Sequence, residues 1–211
     1  MTALDLSYKD QLIYLAIRSF YNSKDKYCYP SYKAIAKKAG VTPKTVSASV
    51  KRLRASRLID VWTIVGKPRH SFAYKFPDCE TYQKIPYVLL DIPDLTSFER
   101  GMLILLFEYL DEDYTTTKSL SELETASGES YKTLYTQLKS LRTKGYITEC
   151  YRESSVPNKL EKVISLSEKL RSILPPELKD VRSRTFKTVK PDKSDEIWDF
   201  VKAMLRNNRK R

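Results

Sequence analysis

Basic and small side chains are interleaved along residues 39–56, AGVTPKTVSASVKRLRAS. The segment contains four basic residues, Lys44, Lys51, Arg52 and Arg54, and no acidic residue. Ammonium and guanidinium groups donate hydrogen bonds to phosphate oxygens and to the acceptor atoms of guanine. Small side chains let a helix approach such a ligand closely. The chemistry offered here is recognition of an anion, and the alternative is the solvated basic face of an ordinary amphipathic helix.

The composition of the whole chain favours a polyanionic partner. The 211 residues carry a formal net charge of +12, and the sequence pI is about 9.5. Such an excess of positive charge attracts polyanions, of which nucleic acid is the commonest. A hydrophobic fraction of 41% and an aromatic fraction of 11% are typical of folded domains.

Residues that could do covalent or metal chemistry are few and badly placed for it. His70 is the single histidine, and the cysteines form no CxxC pair. Residues 66–67, Gly-Lys, are followed by Pro68 where a phosphate-binding loop needs Ser or Thr. The acidic residues 111–113 are interpreted as a solvated end of a helix rather than a Mg²⁺ site. The sequence therefore predicts no enzyme, no catalytic residue, no metal and no cofactor.

Targeting signals are also lacking in the sequence. The first ten residues, MTALDLSYKD, contain no apolar stretch of the kind that a secretory signal needs. The longest apolar run, Met102 to Phe107, is too short to cross a bilayer. We therefore expect a soluble cytoplasmic, nucleoid-associated protein with no membrane partner, and the scattered cysteines suit a reducing compartment.

An internal repeat organises the chain. LSYKDQLIYLAIRSF (Leu6–Phe20) matches LTSFERGMLILLFEY (Leu95–Tyr109) at an offset of 89 residues. Both segments begin with Leu and a hydroxyl residue, and the acids Asp10 and Glu99 follow three residues after the hydroxyl. This spacing is that of a capping box at the start of a helix, and it is better developed at Thr96.

The repeat continues at an offset of 88 residues, where residues 31–60 match residues 119–148. The second of these segments includes SELETASGESYKTLYTQLKSLRTKGYIT, residues 121–148. The turn and helix-start residues align as Gly40 with Gly128, Thr42 with Ser130, Lys44 with Lys132 and Thr45 with Thr133. The apolar positions align as Val46, Val50 and Leu53 with Leu134, Leu138 and Leu141. Apolar residues at this spacing form the buried stripe of a helix. Each copy therefore predicts a helix, a short helix, a glycine turn and a third helix.

A predicted β-hairpin follows the third helix of each copy. In the first copy, residues 58–65 and 71–76 flank the turn GKPRH, and in the second, residues 146–152 and 160–166 flank ESSVPNK. A helix-turn-helix followed by a hairpin is a winged helix. The predicted fold class is mainly α with small β-hairpin wings (α+β), built from two tandem winged-helix domains with a basic C-terminal segment and helix.

The predicted domain boundaries follow from this repeat. The first winged-helix domain spans residues 1–77 and is the main DNA reader, and the second spans 94–170. Residues 78–93, apolar around IPYVLL, form an ordered linker. Residues 171–211 form a basic segment that ends in an amphipathic helix over SDEIWDFVKAMLRNN.

The segment PSYKAIAKKAGVTPKTVSASVKRLRASRLI, residues 30–59, resembles the winged helix-turn-helix modules of bacterial transcription regulators and of plasmid and phage replication proteins. KIPYVLLDIPDLTSFERGMLILLFEYL, residues 84–110, is similar to the segment that leads into a winged helix in plasmid replication initiators. The resemblance covers roughly residues 4–166 and implies the fold and DNA binding. Tandem winged helices, as in several plasmid initiator families, are implied by the resemblance as well.

The predicted DNA contacts lie on both third helices and on the first wing. Lys44 and Thr45 are placed to reach base edges in the major groove, since the start of the recognition helix enters it. The complete set of predicted DNA-binding residues is Lys33, Thr42, Lys44, Thr45, Ser47, Ala48, Lys51, Arg52, Arg54, Lys67, Arg69 and His70 in the first copy, and Lys132, Thr133, Tyr135, Thr136 and Lys139 in the second. Glu129 directly precedes the second recognition helix and would repel phosphate, so the second copy contacts either DNA or protein.

The predicted function is sequence-specific binding of double-stranded DNA by a transcriptional regulator. The alternative is origin binding in plasmid or phage replication initiation, and a third hypothesis is a protein-interaction scaffold that does not bind DNA. The expected partners are double-stranded DNA, a second copy of the chain on repeated sites, and the transcription or replication machinery.

Overall fold

The computed structural model describes residues 6–64, 71–77, 84–153 and 160–175. Within these ranges it contains seven α-helices and two small antiparallel sheets, which confirms the predicted α+β fold class. The elements of the first half are α1 (Tyr8–Arg18), α2 (Tyr32–Ala39), α3 (Pro43–Ala55), β1 (Asp60–Ile64) and β2 (Ser71–Lys75). A 3₁₀-helix (Tyr87–Leu90) precedes the second half. That half contains α4 (Ser97–Tyr109), β3 (Thr115–Thr116), α5 (Leu120–Ser127), α6 (Tyr131–Thr143), β4 (Ile147–Glu153), β5 (Leu160–Leu166) and α7 (Glu168–Ile173).

The turn between α2 and α3 is fixed by its local sequence. Gly40 ends α2 with φ +69°, a left-handed conformation that costs glycine little. Thr42 then caps α3 by accepting a hydrogen bond from the backbone N–H of Thr45, and Pro43 occupies the first helical position. Gly128, with φ +68°, and its cap Ser130 repeat this turn between α5 and α6. Both halves therefore share a turn between two helices that begins at a left-handed glycine and ends at a hydroxyl cap.

The two sheets are the predicted hairpins, each with one additional strand contact. β1 pairs with β2 from Asp60–Lys75 to Ile64–Ser71, and the backbone of Cys28 bridges to Tyr74 on the other side of β2. In the second sheet the strand order is β3-β5-β4, and Thr116 pairs with Ile164. Thr116 lies 88 residues after Cys28, so these short pairings are equivalent in the two copies. The sequence did not predict them, because one or two residues are too few to show a strand pattern.

The hydrophobic core runs continuously through both halves, and α1 and α4 form its centre. Leu12, Ile13 and Leu15 of α1 are buried, as are residues 101–107 of α4. A helix that is buried all round must contact other elements on several sides. α1 packs against α2 and α3 of its own half and also against α4, which in turn packs against α6.

The contact between α1 and α4 is closest at Gly101. An ideal Cβ built on Gly101 would lie 2.2 Å from Cδ2 of Tyr8, so the Tyr8 ring fills the space that a side chain would need. The Tyr8 ring also packs on Phe98, with 6.1 Å between ring centroids. Glycine in the middle of a helix costs free energy, and here it permits the close approach of two helices.

The segment that joins the two halves packs into the same core. Ile85, Leu89 and Leu90 are buried. Lys38 of α2 forms an ion pair with Asp91 at 2.5 Å. Arg100 of α4 donates a hydrogen bond from Nη2 to the carbonyl oxygen of Ile92 at 2.8 Å, which closes the end of this segment onto α4; these contacts fix its described part between the two halves.

The short helix α7 was not predicted. Ser167 caps it by accepting a hydrogen bond from the backbone N–H of Leu170, and Leu170 and Leu174 are buried. Lys169 places Nζ 3.9 Å from the ring centroid of Tyr146. The C-terminal helix that the sequence predicts lies outside the described residues. No helix in the described parts of the chain combines the length and apolarity that crossing a bilayer requires.

The close packing of α1 on α4 predicts an unusual response to a small substitution. We expect Gly101→Ala to lower the free energy of unfolding by about 1–3 kcal/mol, because the new methyl group overpacks the Tyr8 ring. In an uncrowded helix the same change stabilises by about 0.5–1 kcal/mol. Urea unfolding followed by circular dichroism measures the difference. In a Tyr8→Ala background the substitution should cost nothing, and a stabilised Gly101→Ala single variant would contradict the contact.

Candidate nucleic-acid interface

The outer face of α3 presents the residues that the sequence predicts. Val46, Val50 and Leu53 are fully or almost fully buried, which orients the helix. The opposite face exposes Lys44, Ala48, Lys51 and Arg54, while Thr45 and Ser47 are half-buried. Ser49 is completely buried and is not part of this surface.

The hydroxyl groups at the start of α3 are engaged within the helix. The Thr42 hydroxyl oxygen accepts from the backbone N–H of Thr45 at 3.2 Å, and the two threonine hydroxyls lie 2.9 Å apart. Thr42 therefore acts first as the helix cap. Both residues lie beside Lys44, so the exposed ammonium group is the leading donor at the end of α3 that enters the groove in helix-turn-helix proteins.

Arg52 has a partner that the sequence did not reveal. Its Nε donates to the Asp10 carboxylate at 3.0 Å and its Nη2 at 2.7 Å, while Nη2 also reaches the Ser49 hydroxyl at 3.2 Å. The Asp10 side chain is 0% exposed, whereas that of Arg52 is 46% exposed. The hydrogen bond to Asp10 raises the pKa of Arg52. The structure thus places Arg52 as the tie between α3 and α1, with part of the guanidinium still facing solvent.

The second half of the chain contains the equivalent tie with different residues. The Glu99 carboxylate accepts from the Ser140 hydroxyl at 2.5 Å and from Lys144 Nζ at 2.8 Å. Ser140 lies 88 residues after Arg52, and Glu99 lies 89 residues after Asp10. Burial acts to raise the pKa of Glu99, but the hydrogen bonds from Lys144, Ser140 and Thr96 together lower it to about 2.

Both acids also cap their own helices. The backbone N–H of Ser7 donates to Asp10 at 3.0 Å, and that of Thr96 donates to Glu99 at 2.6 Å. Sequence reasoning identified the two acids as capping residues and missed their second role. The identical spacing in both copies, together with a polar residue at the same place in each third helix, is the signal that could have indicated it.

The third helix of the second half, α6, presents a related but bulkier face. Lys132, Tyr135, Thr136 and Lys139 are exposed, and Thr133 is half-buried. The hydroxyl of Thr136 donates to the carbonyl oxygen of Lys132, within the helix itself. Lys132 and Lys139 occupy the positions of Lys44 and Lys51, so both recognition helices keep two lysines seven residues apart on the exposed face.

The start of α6 is occupied by an acid from the same half. The Glu124 carboxylate accepts a hydrogen bond from the backbone N–H of Tyr131 at 2.8 Å. The corresponding position in the first half is Ala36, which leaves the start of α3 without such a carboxylate. A carboxylate near a helix start competes with phosphate for the same backbone donors. The starts of α3 and α6 therefore differ in electrostatics.

The remaining predicted residues are dispersed. Lys33 is exposed on α2. Lys67, Arg69 and His70, predicted at the tip of the first wing, lie outside the described residues. Within the described ranges no group of three or more His, Cys, Asp or Glu side chains could hold a metal ion.

Comparison with known families gives one match. Residues 4–59 match the family described as a helix-turn-helix domain, and these residues contain α1, α2 and α3. No curated protein matches the chain. The match and the geometry agree that the first half contains a helix-turn-helix domain.

The Asp10–Arg52 tie predicts a stability effect that depends on which partner is removed. Arg52→Met should lower the free energy of unfolding by about 1–3 kcal/mol, because it leaves the buried Asp10 carboxylate without its cation. Adding Asp10→Asn should recover part of this loss, since the buried charge is then removed. Arg54→Met, the same change at an exposed residue two positions along, should stay within about 0.5 kcal/mol. Equal effects of the Arg52 and Arg54 substitutions in urea unfolding would show that the tie does not stabilise the fold.

The lowered pKa of Glu99 predicts a pH dependence. An unperturbed glutamate titrates near 4.5, whereas folded Glu99 titrates near 2. Its stabilising contribution is complete above the unfolded value and is lost as the pH falls from about 4.5 towards 2. Between pH 5 and pH 2, the midpoint temperature of thermal unfolding should therefore fall more steeply for the natural chain than for Glu99→Gln. Parallel curves would show that Glu99 carries no such linkage.

Proposed function

We propose that this protein binds double-stranded DNA sequence-specifically through α3 and acts as a transcriptional regulator. The observation that carries the proposal is the acid-free basic surface on α2 and α3, located within the part of the chain that matches a helix-turn-helix domain. The protein acts by occupying its site, where it excludes or recruits other proteins, and performs no bond chemistry.

The charge of this surface supports a phosphate-bearing ligand. Residues 30–59 contain eight basic residues and no acidic residue. Lys38 and Arg52 are engaged with Asp91 and Asp10. The other six are exposed, and they are Lys33, Lys37, Lys44, Lys51, Arg54 and Arg57. Exposed cations of this kind, in a segment without acidic residues, supply the salt-sensitive part of DNA affinity through counterion release.

The proposed roles follow the position of each residue along α3. Lys44, next to the helix start, donates to guanine O6 or N7, and Thr45 contacts an adjacent base. Ser47 and Ala48 leave room for the helix to approach the groove floor. Lys51 and Arg54, farther along, bind phosphates and position the helix without reading the sequence.

The regulatory assignment is tested by mapping the bound sites across the genome of the host that carries the gene. Sites at promoters would support a transcriptional regulator. An array of repeated sites at a replication origin would overturn that assignment in favour of replication initiation. A chain that enriches no DNA, while remaining folded, would contradict DNA binding itself.

We expect substitutions at different positions of α3 to reduce DNA binding in different ways. Lys44→Ala should weaken binding to the selected site by about 1–3 kcal/mol and relax its sequence preference, because it removes a base contact. Lys51→Ala should weaken binding to all sequences and reduce the slope of log K against log salt concentration by about 1. The measurement is fluorescence anisotropy with labelled duplex DNA over a salt series.

A matched control is available at the other end of α1. Lys24 is exposed in the loop that follows α1, outside α2 and α3. Lys24→Ala removes the same charge and should leave affinity and sequence preference close to those of the natural chain. Equal losses for Lys24→Ala and Lys44→Ala would indicate non-specific attraction by net charge instead of a reading surface on α3.

A further inference from the structure

The outer face of the first sheet carries three aromatic rings that contact one another. Tyr27 and Tyr29 lie on either side of the residue that bridges to β2, and Trp62 lies on β1. Side chains two residues apart in an extended segment point to the same face of a sheet. The ring centroid of Tyr27 is 6.3 Å from that of Tyr29 and 5.7 Å from that of Trp62. The three rings therefore form one cluster, which we call the aromatic face.

The aromatic face is turned towards solvent. Tyr29 is 53% exposed and Trp62 is 42% exposed, while Tyr27 is half-buried. Ala73, the partner of Trp62 on β2, is completely buried although its neighbour Tyr74 points into the core on the other side of the sheet. The larger side chains around Ala73 therefore cover it. Large apolar groups gathered in one exposed patch are typical of a surface that contacts a ligand.

The second sheet shows that the fold does not require these rings. The positions 88 residues after the three rings hold small residues, Thr115, Thr117 and Cys150. Cys150 pairs with Val163 in the second sheet as Trp62 pairs with Ala73 in the first. The two sheets thus share their pairing, and only one of them carries the cluster. Packing of the sheet does not account for the rings.

The turn that leads into the aromatic face is basic, whereas the equivalent turn of the second half is acidic. The two segments are SKDKY, residues 23–27, and DEDYT, residues 111–115. Lys26 and Tyr114 lie 88 residues apart and have φ angles of 59° and 62°, so the two turns share this conformation. Lys24 and Lys26 are exposed. Asp25 accepts a hydrogen bond from the side-chain amide of Asn22 at 2.7 Å.

A third lysine lies on the sheet itself. Lys75 of β2 is exposed, and its strand partner is the exposed Asp60 of β1. Since directly paired residues share a face with their neighbours two positions away, Lys75 lies on the same face as Trp62. The surroundings of the rings thus contain three lysines and two acids, while the turn of the second half contains three acids and no lysine. This difference in charge favours an anionic ligand at the first sheet alone.

We propose that the aromatic face binds single-stranded DNA, with unpaired bases stacked on Trp62, Tyr27 and Tyr29. The phosphates of the strand are bound by the neighbouring lysines, Lys24, Lys26 and Lys75. Aromatic side chains within a basic surface hold single strands with little dependence on sequence, because every base has a flat face. The bases of a duplex are already stacked on one another, so the aromatic face selects unpaired bases.

The choice of DNA over RNA rests on the proposed function, whereas the stacking surface does not. α3 ends at Ala55 and β1 begins at Asp60, so the aromatic face belongs to the same half as the proposed duplex-binding helix. It lies on a separate element, and its three rings are outside α2 and α3. Binding of a single strand and binding of a duplex can therefore be removed separately.

The first test uses the fluorescence of Trp62. The chain contains two tryptophans, so Trp198→Phe leaves Trp62 as the single one. We expect an oligonucleotide of about 15 thymidines to quench this fluorescence, because bases stack on the indole ring. An oligonucleotide of the same length with abasic residues keeps the phosphates and should quench far less. No quenching by oligothymidine, or equal quenching by both strands, would overturn the proposal.

The second test replaces the rings by small residues like those of the second sheet. Tyr29→Thr/Trp62→Ser should weaken binding of labelled oligothymidine at least about tenfold in fluorescence anisotropy. The control Tyr151→Thr removes a 69% exposed ring from β4 and should leave the affinity unchanged. Circular dichroism establishes that both variants are folded, and Trp62→Phe, which keeps a ring, should retain most of the binding.

Three outcomes of this test would contradict the inference. Equal affinities of the natural chain and the double variant would show that the rings do not hold the strand. A dimer of the natural chain that the double variant loses, with its affinity for the strand unchanged, would make the aromatic face a protein interface. Tighter binding of oligouridine than of oligothymidine would exclude DNA as the preferred ligand.

A third comparison separates this inference from the proposed function. Lys44→Ala/Lys51→Ala should weaken duplex binding and leave single-strand binding unchanged, and Tyr29→Thr/Trp62→Ser should do the reverse. If only the α3 variant loses single-strand binding, the strand lies on α3 and this inference is wrong. A chain that binds the single strand through its rings but binds no duplex would contradict the proposed function while the stacking surface stands.

Discussion

In each half, a buried carboxylate on the first helix holds the third helix in place. Asp10 is removed from water and bonds to Arg52 of α3, and Glu99 does the same with Ser140 of α6 and with Lys144, the residue at the end of that helix. Breaking a buried ion pair leaves an unpaired charge, which makes the orientation of each recognition helix costly to change. The presentation of Lys44 and of its counterpart on α6 depends on these two ties.

The packing of α1 on α4 joins the two halves of the chain through a shared core. α1 and α4 are buried on nearly all sides and approach closely at Gly101. The joining segment closes over them through the ion pair of Lys38 with Asp91 and the hydrogen bond of Arg100 to Ile92. A continuous core of this kind fixes the placement of α3 relative to α6, which a flexible tether would leave open.

Much of the fold was predictable because local sequence patterns determine it. The turn at Gly40, the cap at Thr42 and the buried stripe of α3 each follow from a few neighbouring residues. The tie from Asp10 to Arg52 joins residues 42 positions apart, and α3 shows no local sign of it. The strand β3 and the helix α7 are too short for any periodicity to register. The sequence did not reveal which elements contact one another, because a sequence pattern shows which face is buried but not what covers it.

The ties also differ in a complementary way between the two halves. A short acid meets a long partner in Asp10 and Arg52, and a longer acid meets a short hydroxyl in Glu99 and Ser140. Each half thus bridges its first and third helices with a different pair of side chains. The residues that face outward, such as Lys44 and Ala48, take no part in this bridge. Substitutions on the outward faces of α3 and α6 can therefore change what these faces present to a ligand while the bridges that hold the two helices stay intact.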